Sequence, residues 1–372
     1  SLLKRFHIWR YKNISQKNFV YILSVLVGLL AGLAAVTLKN ITFFIQSLLE
    51  HGIIFSQNQL YFILPVLGLL FVYLLNKYVF KKVVANETPS FIKRAIPSVL
   101  YSLLRQKGFL HYKQIYYPLI AAPLTVGFGG SVGLLGPAIT SGSAISSNLS
   151  RLLHIDRKTR TLLIACASAG AMASMFKSPI AAIVFAVEVF SLDLTFASLL
   201  PLLIASISSV LTSYFFLGDD LLFNFNLTEK FTINDTVFFI ILGIGTGIAS
   251  LYFTKIYFAI YAFFENFKTR FLKLVVGGFA IGIMLYFIPP LYGEGLSFTK
   301  DLFNGNYLHA LGSNPFDSYI DNIWVVIALL IGFTFFKVIA MTTTFAAGGV
   351  GGIVVPTMVM GSALGNVVAK II

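Results

Sequence analysis

From Phe19 to Ser47 the chain carries no acid and a single base, Lys39. A run of that length exceeds the roughly 20 apolar residues that span a bilayer as a helix, so it fits a tilted span or one with an extramembrane extension. Further apolar runs follow at 60–80, 193–216, 236–264, 271–290, 322–345 and 349–368. Between them lie shorter pieces cut by Gly, Pro, Ser and Asn, at 83–104, 116–130, 137–152, 160–176 and 178–191. Only 11% of the residues are charged, against about a quarter in soluble domains. These features read as an all-α polytopic membrane protein. A β-barrel would show alternating segments of roughly ten residues instead of continuous apolar runs.

Lysine and arginine outnumber the acids 27 to 14. In a soluble chain that excess would suggest nucleic acid, but no aromatic-basic module accompanies it. The bases sit in short loops and at the N-terminus, where Lys4, Arg5, Arg10, Lys12 and Lys17 precede the first span. By the positive-inside rule this places the N-terminus in the cytoplasm and the chain in the cell inner (plasma) membrane. Residues 1–17 read as a basic cytoplasmic helix, 18–216 as a first membrane repeat, 217–235 as a polar loop and 236–372 as a second repeat. The five histidines have no metal-ligand spacing, and the one cysteine, Cys166, has no partner in the chain. No nucleotide loop or catalytic triad appears. The expectation is a protein that is not an enzyme, with no metal and no cofactor.

Short, broken segments in a membrane protein need a reason, because non-helical backbone survives at membrane depth only inside protein or beside a water-filled cavity. One such stretch is GGSVGLLGPAITSGSAI, Gly129–Ile145. A second lies near the other end: GGVGGIVVPTMVMGSALG, Gly348–Gly365. At an offset of 219 (356 − 137), Pro137 falls on Pro356, Gly130 on Gly349, Gly133 on Gly352, and Gly142-Ser143-Ala144 on Gly361-Ser362-Ala363. Small-residue packing motifs explain the Gly-Ser-Ala part alone. The aligned glycine and proline four residues apart point to an internal repeat, and paired broken segments mark an inverted-repeat transporter fold and its binding site.

Glycines followed by a proline in the first turn mark a helix start. The free amides there, with the positive end of the helix dipole, suit a small anion. A full cationic side chain would hold the anion too firmly for passage. An uncharged site is therefore what an anion pathway asks for.

These residues resemble the CLC family of chloride channels and chloride/proton antiporters. The family's G-[RK]-E-G-P motif corresponds to Gly133-Leu134-Leu135-Gly136-Pro137, and its G-x-F-x-P motif to Gly352-Ile353-Val354-Val355-Pro356. The stretches 157–190, 292–298 (YGEGLSF) and 337–352 are also similar to it. The resemblance implies a homodimer in the lipid bilayer, with one pore per subunit, an antiparallel repeat with broken and re-entrant helices, and chloride as the bound substrate. It implies a central anion site at the amides of Ile353 and Val354, and an outer one at those of Leu134, Leu135 and Gly136. A serine of the family's third helix start falls on Asn86 if Pro89 is the anchor. An asparagine amide can donate in its place; a pore-facing Glu87 or Thr88, or a cytoplasmic turn touching no ligand, remain open. The resemblance also implies further helices beyond the point where this sequence stops, one carrying a tyrosine that faces the central anion.

The departure from the pattern bears on mechanism. The family's gating glutamate is Leu135 here, and its inner proton-delivery glutamate falls on Val189, one position after Glu188. Leucine carries no charge and no proton. It leaves the outer site open or closes it as a hydrophobic constriction. Glu188, well inside an apolar run, reads as a buried structural acceptor. Lys177 reads as an anion-attracting residue of the inner vestibule or as a snorkelling loop lysine. The expected function is passive anion conduction without proton coupling. Proton-coupled exchange through another acid such as Glu87, and a non-conducting sensor or scaffold, are the alternatives.

Overall fold

The computed structural model describes residues 9–10, 12–49, 62–80, 95–193, 195–218, 232–306, 310–311 and 322–371. Thirteen helices are named here in chain order. They are α1 (Gln16–Leu49), α2 (Leu64–Tyr78), α3 (Ala95–Arg105), α4 (Lys113–Gly127), α5 (Leu135–Leu152), α6 (Arg157–Phe176) and α7 (Pro179–Phe190). The others are α8 (Phe196–Leu217), α9 (Thr236–Glu265), α10 (Arg270–Phe287), α11 (Leu296–Phe303), α12 (Ile323–Ala346) and α13 (Val354–Ile371). Seven of them, α1, α6, α8, α9, α10, α12 and α13, are long and apolar enough to cross a membrane.

Local chemistry sets the breaks. α6 opens on Asp156, whose carboxylate accepts from the Thr159 amide at 3.0 Å, an N-cap bond that satisfies one free donor of the first turn. It closes on Lys177 in the left-handed region (φ 53°), and Ser178-Pro179 restarts the chain as α7, with proline where its lost N–H is harmless. α8 begins with a capping box between Thr195 and Ser198. Most of the expected amphipathic helix over 1–17 lies outside the described residues.

By contacts the chain divides into two compact units. One comprises Ser1–Ile41, Phe80–Ile120 and Leu135–Leu221, the other Thr42–Val79, Ala121–Leu134 and Leu222–Ile372. These boundaries differ from the linear halves 18–216 and 236–372, because compactness follows packing and not chain order.

The first unit packs α6 against α5, α7 and α8. α6 is a run of small residues, and Ala165, Cys166, Ala167, Ser168, Ala169, Ala171 and Ala173 are buried. Small side chains let backbones approach closely enough for van der Waals contact and hydroxyl-to-carbonyl bonds between helices. Ser209 Oγ donates to the Gly170 carbonyl at 2.6 Å and Ser213 Oγ to that of Ser174 at 2.9 Å. Gly28 lies so close to α8 that a Cβ there would sit 2.3 Å from the Ala205 carbonyl oxygen. In the second unit α10 packs on α2, and α12 packs on α9, α10 and α13.

Candidate functional site

The Gly-rich segments that lead into α5 and α13 are joined within the second unit. The Gly133 amide donates to the Gly352 carbonyl at 2.9 Å and the Gly352 amide to the Gly133 carbonyl at 2.7 Å. This is an antiparallel bridge between two residues that the 219 offset makes equivalent. A reciprocal pair of bonds between equivalent residues places a local two-fold axis between them.

The symmetry extends outward from that pair. Thr125, in α4, accepts the Val350 amide on its Oγ1 at 3.0 Å, and Thr344, in α12, accepts the Ser131 amide on its Oγ1 at 3.2 Å. Thr125 and Thr344 are again 219 apart, as are Ser131 and Val350. Each threonine hydroxyl also donates at 2.8 Å to the carbonyl four residues earlier, Ala121 for Thr125 and Ala340 for Thr344. The Thr125 carbonyl takes the Gly130 amide at 2.8 Å and the Thr344 carbonyl takes the Gly349 amide at 2.9 Å. Gly129 (φ 94°) and Gly348 (φ 104°) share the left-handed backbone, which glycine adopts without strain. The two segments approach so closely that a Cβ on Gly133 would stand 2.9 Å from Val355 Cβ. The inverted repeat read from the glycine and proline frame is therefore present as geometry.

The site residues differ in surroundings. Leu134 is 2% exposed and Leu135 0%, whereas Ile353 is 40% exposed and Val354 half-buried. Leu135 and Gly136 are the first residues of α5, and Val354 the first of α13. First-turn amides have no carbonyl one turn earlier to bond. The Leu134 amide is different, because it donates to Glu294 Oε2 at 2.8 Å. Glu294 stands between Gly293 (φ 60°) and Gly295 (φ 86°), in the short connection between the 3-10 turn Pro289–Leu291 and α11.

That connection is fixed from several sides. Ser131 Oγ donates to the Leu291 carbonyl at 2.7 Å, and the Tyr292 hydroxyl donates to the Gly127 carbonyl. Lys337, fully buried in α12, donates through Nζ to the carbonyls of Gly293 at 2.9 Å and Leu291 at 3.3 Å. Carbonyl acceptors around a buried lysine Nζ supply the hydrogen bonds that burial of a polar group requires.

Glu188 departs from expectation. The apolar run predicts a buried acceptor, yet Glu188 is exposed, on the same outward stripe of α7 as Ile180 (76% exposed) and Val184 (63%). The four-residue spacing of a helix puts 180, 184 and 188 on one face, and that face looks away from the unit. Val189, one residue on, is half-buried and packs on an apolar cluster that includes Ala182, Ala186 and Phe190. Lys177 donates to the Gly218 carbonyl at 2.6 Å, and its ammonium lies 5.1 Å from the centre of the Tyr214 ring, which ties it to the end of α8. Asn86, Glu87 and Thr88 lie outside the described residues. Among the described residues no group of three His, Cys, Asp or Glu is placed to hold a metal.

Four residues of the site were not legible as such beforehand: Thr125, Thr344, Glu294 and Lys337. Extending the 219 offset upstream by five residues pairs the threonines, so they had a signal. Lys337 had one too, as the only charge within α12.

Fold and site together define a polytopic helical membrane protein built on an inverted internal repeat, whose crossover leads into two uncharged helix starts. The family description "Voltage gated chloride channel" matches residues 83–372, and the chain belongs to that family. It is 29% identical over 256 residues to an uncharacterized protein of Methanocaldococcus jannaschii, covering 68% of this chain and 60% of that one. It is 26% identical over 250 residues to the H(+)/Cl(-) exchange transporter ClcA of Vibrio campbellii, covering 64% of this chain and 49% of that one. The matches thus span about half to three fifths of these relatives' lengths. Among solved structures, a slow cyanobacterial Cl-/H+ antiporter superposes with a TM-score of 0.75 at 18% identity, over 96% of this chain and 80% of that one. At that identity the likeness is one of fold.

Proposed function

We propose that the protein conducts small anions, chloride among them, passively across the membrane and without proton coupling. The observation that carries this reading is Leu135. It is fully buried at the start of α5, in the place where the family resemblance puts a gating glutamate, and it can neither compete with an anion as a charge nor carry a proton. The half-buried Val189 at the second family position supports the same conclusion. In this reading the anion meets the amides of Leu135 and Gly136 at one helix start and those of Ile353 and Val354 at the other. We further propose that two copies assemble as a homodimer, each with its own pathway, in the inner (plasma) membrane with the N-terminus in the cytoplasm.

One observation favours a second reading, proton-coupled exchange. Glu294 places a carboxylate on the Leu134 amide, so an acid stands at the helix start even though position 135 holds none. Liposome flux separates the two. Protein reconstituted with a chloride gradient and a pH-sensitive dye should pass chloride with no proton movement beyond the ionophore control. Proton uptake driven by the chloride gradient would overturn the uncoupled reading in favour of exchange.

A further inference from the structure

We propose that the end of the first unit where α1 begins carries a site for the phosphate headgroup of an anionic phospholipid, built on the α3–α4 and α5–α6 connections. This surface is separate from the anion pathway, and the inference does not depend on the conduction reading.

Three segments are locked together at this end. Arg160 donates through Nη1 to the Lys107 carbonyl at 3.0 Å and through Nη2 to the Ile155 carbonyl at 2.8 Å, which ties the two connections to each other. Ser147 of α5 donates to the Gly108 carbonyl at 2.7 Å and accepts the Leu110 amide at 2.9 Å. Ile155 and Leu163 pack with Phe19 and Leu23 of α1, and the Arg10 guanidinium lies 3.8 Å from the centre of the Phe19 ring. The bases at this end therefore project from a fixed frame.

Those bases are not matched by acids. Lys107, Arg151, Arg157 and Lys158 are exposed, and Lys12 and Lys17 add two more beside the start of α1. Between residues 95 and 165 the one acid is Asp156, whose carboxylate is taken by the Thr159 amide. Among the described residues none of Lys107, Arg151, Arg157 and Lys158 is paired with a carboxylate. Like charges held on one frame repel, so an anion seated among them lowers the energy. Arg160 adds an independent sign. It is 7% exposed, and its Nε has no hydrogen-bond partner, although buried donors are normally matched.

Apolar side chains interleave with the bases. Leu104 and Leu152 are exposed beside Arg105 and Arg151, and Phe109, Tyr112 and Tyr116 are exposed as well. The Phe109 ring centre lies 3.9 Å from the Arg160 guanidinium and 6.0 Å from that of Arg151. A free phosphate would use the bases alone. A phospholipid uses both features, its phosphate on the guanidinium groups and its chains against leucines and aromatics of the kind that sit at membrane interfaces. Basic pockets between membrane helices take such headgroups.

The test uses the delipidated full chain in neutral detergent and the triple variant Arg151→Gln, Arg157→Gln, Lys158→Gln. All three side chains are exposed, so the fold is expected to survive, with melting temperature as the check; Arg160 is left intact because it holds the frame. Native mass spectrometry titrates phosphatidylglycerol, phosphatidylcholine and inorganic phosphate. The wild type should prefer phosphatidylglycerol to phosphatidylcholine by about a hundredfold, about fivefold for each of three bases. The triple variant should lose that preference, and Arg151→Gln alone should lose about fivefold of it. The exposed pair Lys268→Gln with Arg270→Gln, in the second unit, should leave it intact. Equal binding of the two lipids by the wild type, a preference kept by the triple variant, or one lost equally in the control pair would overturn the inference. Inorganic phosphate that displaces phosphatidylglycerol at equal concentration would overturn the choice of a lipid.

Discussion

Replacing Thr344 with valine keeps the shape of the side chain and deletes one hydroxyl. That hydroxyl is the acceptor for the Ser131 amide at 3.2 Å and the donor to the Ala340 carbonyl at 2.8 Å. Both Thr344 and Ser131 are fully buried, so water does not replace the lost acceptor. A buried amide left without a partner costs about 1–3 kcal/mol, whereas the Ala340 carbonyl sits in a helix and loses only a second bond. The expected cost is about 2 kcal/mol. At about 2–4 °C per kcal/mol for a large domain, this is a fall of several degrees in the melting temperature of detergent-purified protein. The local two-fold predicts the same for Thr125→Val, with a smaller shift because Val350 is only half-buried. The controls Thr344→Ser and Thr125→Ser retain the hydroxyl and should give back most of the loss. Because both bonds brace the same bridge, the double valine variant should be non-additive, as contacting sites are. A Thr344→Val protein that melts with the wild type would refute the view that these hydroxyls hold the crossover. So would serine and valine variants that melt alike.

Other outcomes follow from the same geometry. Gly133→Ala would drive a Cβ to 2.9 Å from Val355 Cβ and 3.1 Å from Pro356 Cδ; the bridge must open, and about 1–3 kcal/mol of overpacking cost should appear as a lowered melting temperature together with weaker chloride binding. Lys337→Met removes the buried donor to the Gly293 and Leu291 carbonyls, and buried acceptors left short of a partner cost about 1–3 kcal/mol, read as a lowered melting temperature. Asp156→Ala deletes the cap of α6 at about 1 kcal/mol. Burial pushes the Asp156 carboxyl up, but hydrogen bonds from the Thr159 amide and hydroxyl outweigh it and leave its pKa below 3.8. A depressed carboxylate stabilises above its unfolded value and stops doing so as pH falls through the folded one. The gap in melting temperature between wild type and Asp156→Ala should therefore be full at pH 7 and close below about pH 4.

What the amino-acid order determined by itself is what depends on local periodicity and on backbone-permissive residues. Continuous apolar runs announced helices of membrane length, because lipid satisfies no free backbone polar group. The Gly and Pro frame announced α5 and α13, because proline in a first turn and glycine before it favour one local geometry wherever they occur. A matching frame 219 residues away announced their equivalence. The expectation for Glu188 failed on the same ground: an apolar neighbourhood in sequence does not say which side of a helix faces protein, and position 188 shares the outward stripe of 180 and 184.

Only the tertiary structure decided what depends on groups brought together from distant parts of the chain. The threonine exchange joins residues 213 and 225 positions apart, and no local propensity carries that information. Glu294 lies 160 residues downstream of Leu134, and only the fold sets its carboxylate on that amide. Leucine at position 135 could be read directly as the loss of an acid. That another acid stands one residue away in space could not, because charge pairing acts through distance and ignores chain order.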